Sequence, residues 1–103
     1  KHGSFFKAMK YILKRMRNKK NRQATFVCSL SFRGENKRIV SVVGRLNGII
    51  SDKILGRKGF GYDPIFIPKG KKITFGQMQK IRKIKIDHRY LAFKKLKKKI
   101  RTL

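Results

Sequence analysis

Residues 24 to 33 alternate without a break. Phe26, Cys28, Leu30 and Phe32 fall on one side, and Thr25, Val27, Ser29 and Ser31 on the other. Side chains of an extended chain point to opposite faces in turn, so the pattern commits this segment to a strand with one buried face. Gly34-Glu35-Asn36-Lys37 follows with turn chemistry. Residues 38 to 47 then read as a second strand, rich in Ile and Val. Two such strands joined by a short turn form an antiparallel hairpin. A half-buried hairpin needs further elements to cover its apolar face. Gly44 and Gly48 interrupt the second strand, which predicts either a bulge or a close backbone approach.

Helices are available for that cover. Phe5, Phe6, Met9, Ile12, Leu13 and Met16 recur at helical spacing, with Lys7, Lys10, Lys14 and Arg15 mostly opposite. The spacing predicts a helix over 4–17, capped by Ser4 and packed on the sheet. A polar basic loop from Arg17 to Arg22 follows it. A Gly-rich loop spans 56–64, Ile65-Phe66-Ile67 is a short strand ended by Pro68, and Lys69 to Lys72 is a turn. Thr74 with Gln77 has the form of a capping box that starts a short helix. Asp87 is placed to cap a last helix running to about 101, with Ala92, Leu96 and Ile100 inside and Lys94, Lys95, Lys97, Lys98 and Lys99 largely outside. Together these elements make an α/β domain, a mixed β-sheet flanked by helices, with no internal repeat or domain boundary.

Charge is the dominant compositional feature. Thirty Lys and Arg against four Asp and Glu give a formal net charge of +26. That field attracts polyanions, and alone it points to RNA or DNA binding. Compositional drift in a Lys-rich, AT-rich genome accounts for the larger part, since much of the excess lies on exposed helix faces and turns. Drift explains the scarcity of acids less well, so nucleic acid stays as the second choice of partner. Cys28 is the single cysteine, so no disulfide or Cys-based metal site forms within the chain. No apolar run reaches the ~20 residues that span a bilayer, and cytoplasm is the default expectation. The chain opens on Lys1 rather than Met, which fits a start inside a longer protein as well as processing.

Two constellations can carry chemistry. In the Gly-rich loop, Gly59 and Gly61 flank Phe60, whose ring offers a stacking face worth ~1–3 kcal/mol to a base. The alternative is a core phenyl ring. Asp63 either accepts hydrogen bonds from a base or sugar, or pairs with a nearby Lys or Arg. The loop lacks the Gly-Lys-Ser/Thr ending of a P-loop. His88-Arg89 opens the last helix, and both residues donate hydrogen bonds. As an isolated pair they are more simply surface bases. No paired carboxylates, metal cage or nucleophile motif occurs, and Cys28 is better read as core than as a nucleophile.

The run Gly59-Phe60-Gly61-Tyr62-Asp63-Pro64-Ile65-Phe66 nevertheless resembles the signature of the inosine triphosphate pyrophosphatases. Further segments match in order. Arg22 to Cys28 resembles the family strand Arg-x-Ala-x-Phe-x-Cys, and Gly44 through Gly48-Ile49-Ile50 its Gly-x-x-x-Gly-x-Ile segment. Thr74-Phe75-Gly76-Gln77-Met78 is similar to Thr-Phe-Ala-Glu-Met, and Lys83 precedes His88-Arg89 at the family spacing.

The resemblance implies a single partial domain over 1–103, equivalent to the C-terminal half of that fold. It implies hydrolysis of ITP, dITP and XTP to the monophosphate and pyrophosphate by the full enzyme, with Mg²⁺. Phe60 would stack on the purine, and Gly61 and Tyr62 would shape the pocket. Asp63 would contact the nucleotide, Lys83 would supply a cationic contact, and His88 and Arg89 would read the 6-oxo group. The phosphate loop, metal ligands and catalytic Asp belong to an N-terminal half without equivalent here. No catalytic or metal-binding residue is therefore assigned to this chain, and the isolated chain is expected to be inactive. A homodimer is implied for the full protein, and no membrane partner. Asp87 departs from the family Ser, and Gln77 from its Glu.

Overall fold

The computed structural model describes residues 2–101. The hairpin is its spine. β1 (Gln23–Arg33) and β2 (Ile39–Ile50) pair antiparallel from Gln23 opposite Ile49 to Arg33 opposite Ile39. The turn closes through Gly34 N to Arg38 O and Lys37 N to Gly34 O. A third strand, β3 (Phe66–Pro68), adds antiparallel to the far end of β2, in the order β1-β2-β3. The expected α/β arrangement is present, and the described strands pair antiparallel.

β2 runs on past 47, through Gly48 to Ile50. No bulge interrupts it: Gly44 pairs with Cys28 and Gly48 with Ala24 in unbroken register. Both positions serve close approach instead. A Cβ on Gly44 would overlap the backbone of α3 (His88–Arg101) at His88 O and Ala92 N. A Cβ on Gly48 would overlap Ile67 O and the Phe66 ring.

Burial follows the alternation of β1 as far as Leu30, while Phe32, expected on the same face, is exposed at the hairpin end. Ala24, Phe26, Cys28 and Leu30 are half-buried on one face, where Val42 is buried. α3 covers this face. Its Ala92 and Leu96 are buried and Ile100 half-buried, while Lys94, Lys95, Lys97, Lys98 and Lys99 are exposed. Below them, Phe26 stacks on Phe66 with centroids 3.9 Å apart, and Phe66 lies 5.7 Å from Phe75. Met78, Leu46 and Ile86 complete this core.

α1 (His2–Met16) differs from the sequence reading in two respects. It extends back to His2, so Ser4 lies inside the first turn and is not the cap. The apolar stripe begins at Phe5 and carries no information about the residues before it. The stripe also faces the loop segment 51–64 rather than the sheet, whose apolar face α3 already occupies. Met9 is buried there, and Phe5 meets Tyr62 edge-on at 5.5 Å. Arg22 ties the end of α1 to the end of β2. Its guanidinium donates to Met16 O (2.8 Å), Ile50 O (2.9 Å) and Ser51 O (2.7 Å).

Two 3-10 turns (Asp63–Ile65 and Phe75–Gln77) and the single-turn α2 (Lys80–Lys83) join these parts. The Gln77 side chain accepts from Thr74 N at 3.1 Å, and the Thr74 hydroxyl donates to Leu55 O at 2.6 Å. No helix among the described residues is long and apolar enough to cross a membrane.

Candidate functional site

Three elements bring the candidate residues together: the Gly-rich loop, α2 and the first turn of α3. The loop folds back on a single carboxylate. Asp63 Oδ2 accepts from Phe60 N at 2.9 Å and receives Lys83 Nζ, from the end of α2, at 2.7 Å. Both side chains of the ion pair are about 5% exposed or less. Burying two charges is costly unless each is well paired, and here a short contact and a backbone donor supply the pairing. Gly59, at φ +74°, permits the fold-back, because a Cβ there would fall on the Asp63 carboxylate. Of the two readings open for Asp63, the geometry has it paired with a lysine.

Phe60 stands above this pair, more than half exposed. Lys83 Nζ lies 4.2 Å from its ring centroid and Arg89 Cζ 4.3 Å from it. Both are cation–π distances. The ring is therefore outside the core, with two cations against it. Tyr62 is also exposed, resting against Phe5. Between α1 and the loop lies an open cleft of about 760 Å³, lined by Phe5, Phe6, Met9, Ile54, Phe60 and Pro64.

α3 delivers the remaining donors. Asp87 Oδ1 accepts from Tyr90 N at 2.8 Å, so Asp87 caps the helix as the sequence predicts. Gly44 lets the first turn sit directly on β2, which fixes where His88 and Arg89 emerge. His88 is buried, with its ring edge-on to Phe26 at 5.0 Å. Its Nδ1 is buried and has no hydrogen-bond partner. Burial pushes its pKa below the ordinary histidine value. Arg89 and, less strongly, Lys83 push the same way, against Asp87 and Asp63. His88 is thus neutral at pH 7, with one polar atom still to be satisfied.

The structure brings Phe60, Asp63, Lys83 and Arg89 into direct contact, and His88 lies within their electrostatic reach. Tyr62 faces α1 instead. Among the described residues no three His, Cys, Asp or Glu side chains cluster as a metal site. Asp63 is committed to Lys83 and Asp87 to its helix, so these carboxylates do not fit a divalent ion.

A profile of the Ham1 family matches residues 1–99. The chain belongs to the Ham1 family. Among relatives, it is 44% identical over 87 residues to a dITP/XTP pyrophosphatase of Saccharolobus solfataricus, covering 84% of this chain and 45% of that protein. It is 34% identical over 101 residues to a dITP/XTP pyrophosphatase of Clostridium tetani, covering 98% and 50%. The solved Ham1 protein of Staphylococcus aureus superposes with a TM-score of 0.88 at 31% identity, covering 99% of this chain and 53% of that one. The chain spans about half the length of the curated relatives it matches.

One part of this candidate site went unassigned in the sequence. Phe5 and Phe6 line the cleft beside Phe60, although their helical stripe reads as sheet packing. Gly44, where the strand pattern predicts a bulge or a close backbone approach, makes the close approach and seats the first turn of α3. Asp87 was legible as a cap, and its single observed side-chain bond is that capping bond.

Proposed function

We propose that this chain supplies the purine-recognition part of a nucleoside triphosphate pyrophosphatase. Its substrates are deaminated purine nucleotides, ITP, dITP and XTP, cleaved to the monophosphate and pyrophosphate. The buried, unpartnered Nδ1 of His88 beside Arg89 is the observation that carries this reading. A buried polar atom without a partner costs about 1–3 kcal/mol, and a ligand group that satisfies it recovers that energy.

In the tautomer that carries the proton on Nδ1, and with a movement that opens this buried atom to the ligand, Nδ1–H offers a hydrogen bond to a 6-oxo group, and Arg89 offers a second. Adenine presents an amino group at the same place and leaves both donors unpaired. Phe60 provides the face for the base, and Lys83 holds Phe60 from below through the Asp63 carboxylate. For the base to stack on the face that Arg89 covers, the guanidinium must swing aside, since 4.3 Å leaves no room for a ring between them. Asp63 then acts as the residue that fixes the loop rather than one that touches the nucleotide. Mg²⁺ is expected to neutralise the triphosphate when bound. Asp63 and Asp87, each committed to a partner within the fold, do not fit it, and no step of base recognition runs through it.

The test uses the protein as its gene encodes it. Turnover of dITP to dIMP and pyrophosphate is expected, with dATP turned over at least tenfold less efficiently. Phe60→Ala is expected to raise KM for dITP. Equal use of dATP and dITP would overturn the proposal.

A further inference from the structure

Two of the four acids, Asp63 and Asp87, are buried and serve the loop and the α3 cap. The exposed surface is left with Glu35 and Asp52 to set against nearly all of the thirty basic residues. The cations are not evenly mixed with apolar groups. On the outward face of α3, Tyr90, Lys94, Lys97 and Arg101 follow one another at helical spacing, with Phe93 beside them. All five are exposed. Lys94 Nζ lies 5.8 Å from the Tyr90 centroid and Lys97 Nζ 5.9 Å from that of Phe93. This face points away from Ala92 and Leu96, which hold the helix on the sheet. None of its residues serves the purine site.

We propose that this face of α3 binds single-stranded nucleic acid, independently of the base-recognition site. Exposed aromatic rings among lysines are the combination a single strand requires. Its phosphates take up the cations, and its unpaired bases stack on Tyr90 and Phe93. A duplex hides its base faces and gains only the phosphate term. An anionic membrane is the poorer fit, because an interfacial helix needs a continuous apolar face for the acyl chains. In α3 that face is buried on the hairpin.

The test is fluorescence anisotropy with a 20-nucleotide uridine-rich RNA and the DNA strand of the same sequence, on the protein as its gene encodes it, from low to moderate salt. Either strand binding more tightly than its duplex supports the proposal. Tyr90→Ala and Phe93→Ala are each expected to weaken single-strand binding about tenfold. The pair Lys94→Ala with Lys97→Ala is expected to lower the slope of log affinity against log salt by about 1.4. Removing the same charge elsewhere, in Lys19→Ala with Lys20→Ala, is expected to leave the slope nearly unchanged. All these variants are expected to keep the parent melting temperature and dITP turnover. Four results overturn the proposal: equal binding of duplex and single strand, insensitivity to both aromatic substitutions, an equal effect of the Lys19/Lys20 pair, or binding to phosphatidylserine vesicles without binding to RNA or DNA. Failure to bind any strand, as when another segment or a second copy covers the face, also overturns it.

Discussion

Lys83 and Asp63 come from different elements and meet beneath Phe60. Removing one member of such a pair leaves an uncompensated charge in the interior. Lys83→Met is expected to destabilise the fold by about 3–5 kcal/mol, and adding Asp63→Asn to recover most of that loss. Urea denaturation of both variants checks this, and additive losses would contradict the pairing. His88 makes a second prediction at this scale. An unfolded imidazole takes up a proton near pH 6.5, whereas the folded one resists to a lower pH. Between the two values the unfolded state binds more protons. The His88 contribution is therefore full above about pH 6.5 and is lost as pH falls through the folded value. Stability measured from pH 8 to 5 should show this decline, and His88→Gln should flatten it. The sequence contained both residues but not their state. Nothing in the spacing of Asp63 and Lys83 says that their charges touch, and a His at a helix start reads equally well as exposed.

At the scale of elements, periodicity was the readable signal. β1, β2 and the inner face of α3 lie where alternation and helical spacing put them, because each covers the other. α1 was legible as a helix but not in its placement. A stripe tells which side is buried and not against what, and α3 had the stronger claim on the sheet through its contact at Gly44. Gly44→Ala is expected to push α3 outward, at a cost of about 1–3 kcal/mol. The same shift moves His88 and Arg89, so binding of dITP should weaken even where the variant is still folded. A thermal melt with a parallel dITP titration separates the two effects. Arg22→Ala should cost about 1.5–3 kcal/mol by releasing three carbonyl partners at the junction of α1 and β2. Its melt should lose stability without a change in the preference for dITP over dATP.

Over the whole molecule, the chain divides its labour. The hairpin and α3 form the frame, the loop and α2 set Phe60, and the outward surface carries the charge. The eight-residue run from Gly59 to Phe66 is the most informative part of the sequence, since it carries the family resemblance. What it did not convey was the division between a buried Asp63–Lys83 pair that holds the loop and the exposed Phe60 ring above it. The central claim is that His88 and Arg89 donate to a 6-oxo group above Phe60. Titration calorimetry of ITP and ATP against the gene-encoded protein and its Arg89→Ala variant tests it most directly. ITP is expected to bind about 10- to 100-fold more tightly than ATP, and Arg89→Ala to remove most of that ratio by weakening ITP alone. A ratio unchanged by the substitution, or a parent protein that binds both nucleotides equally, would contradict the account.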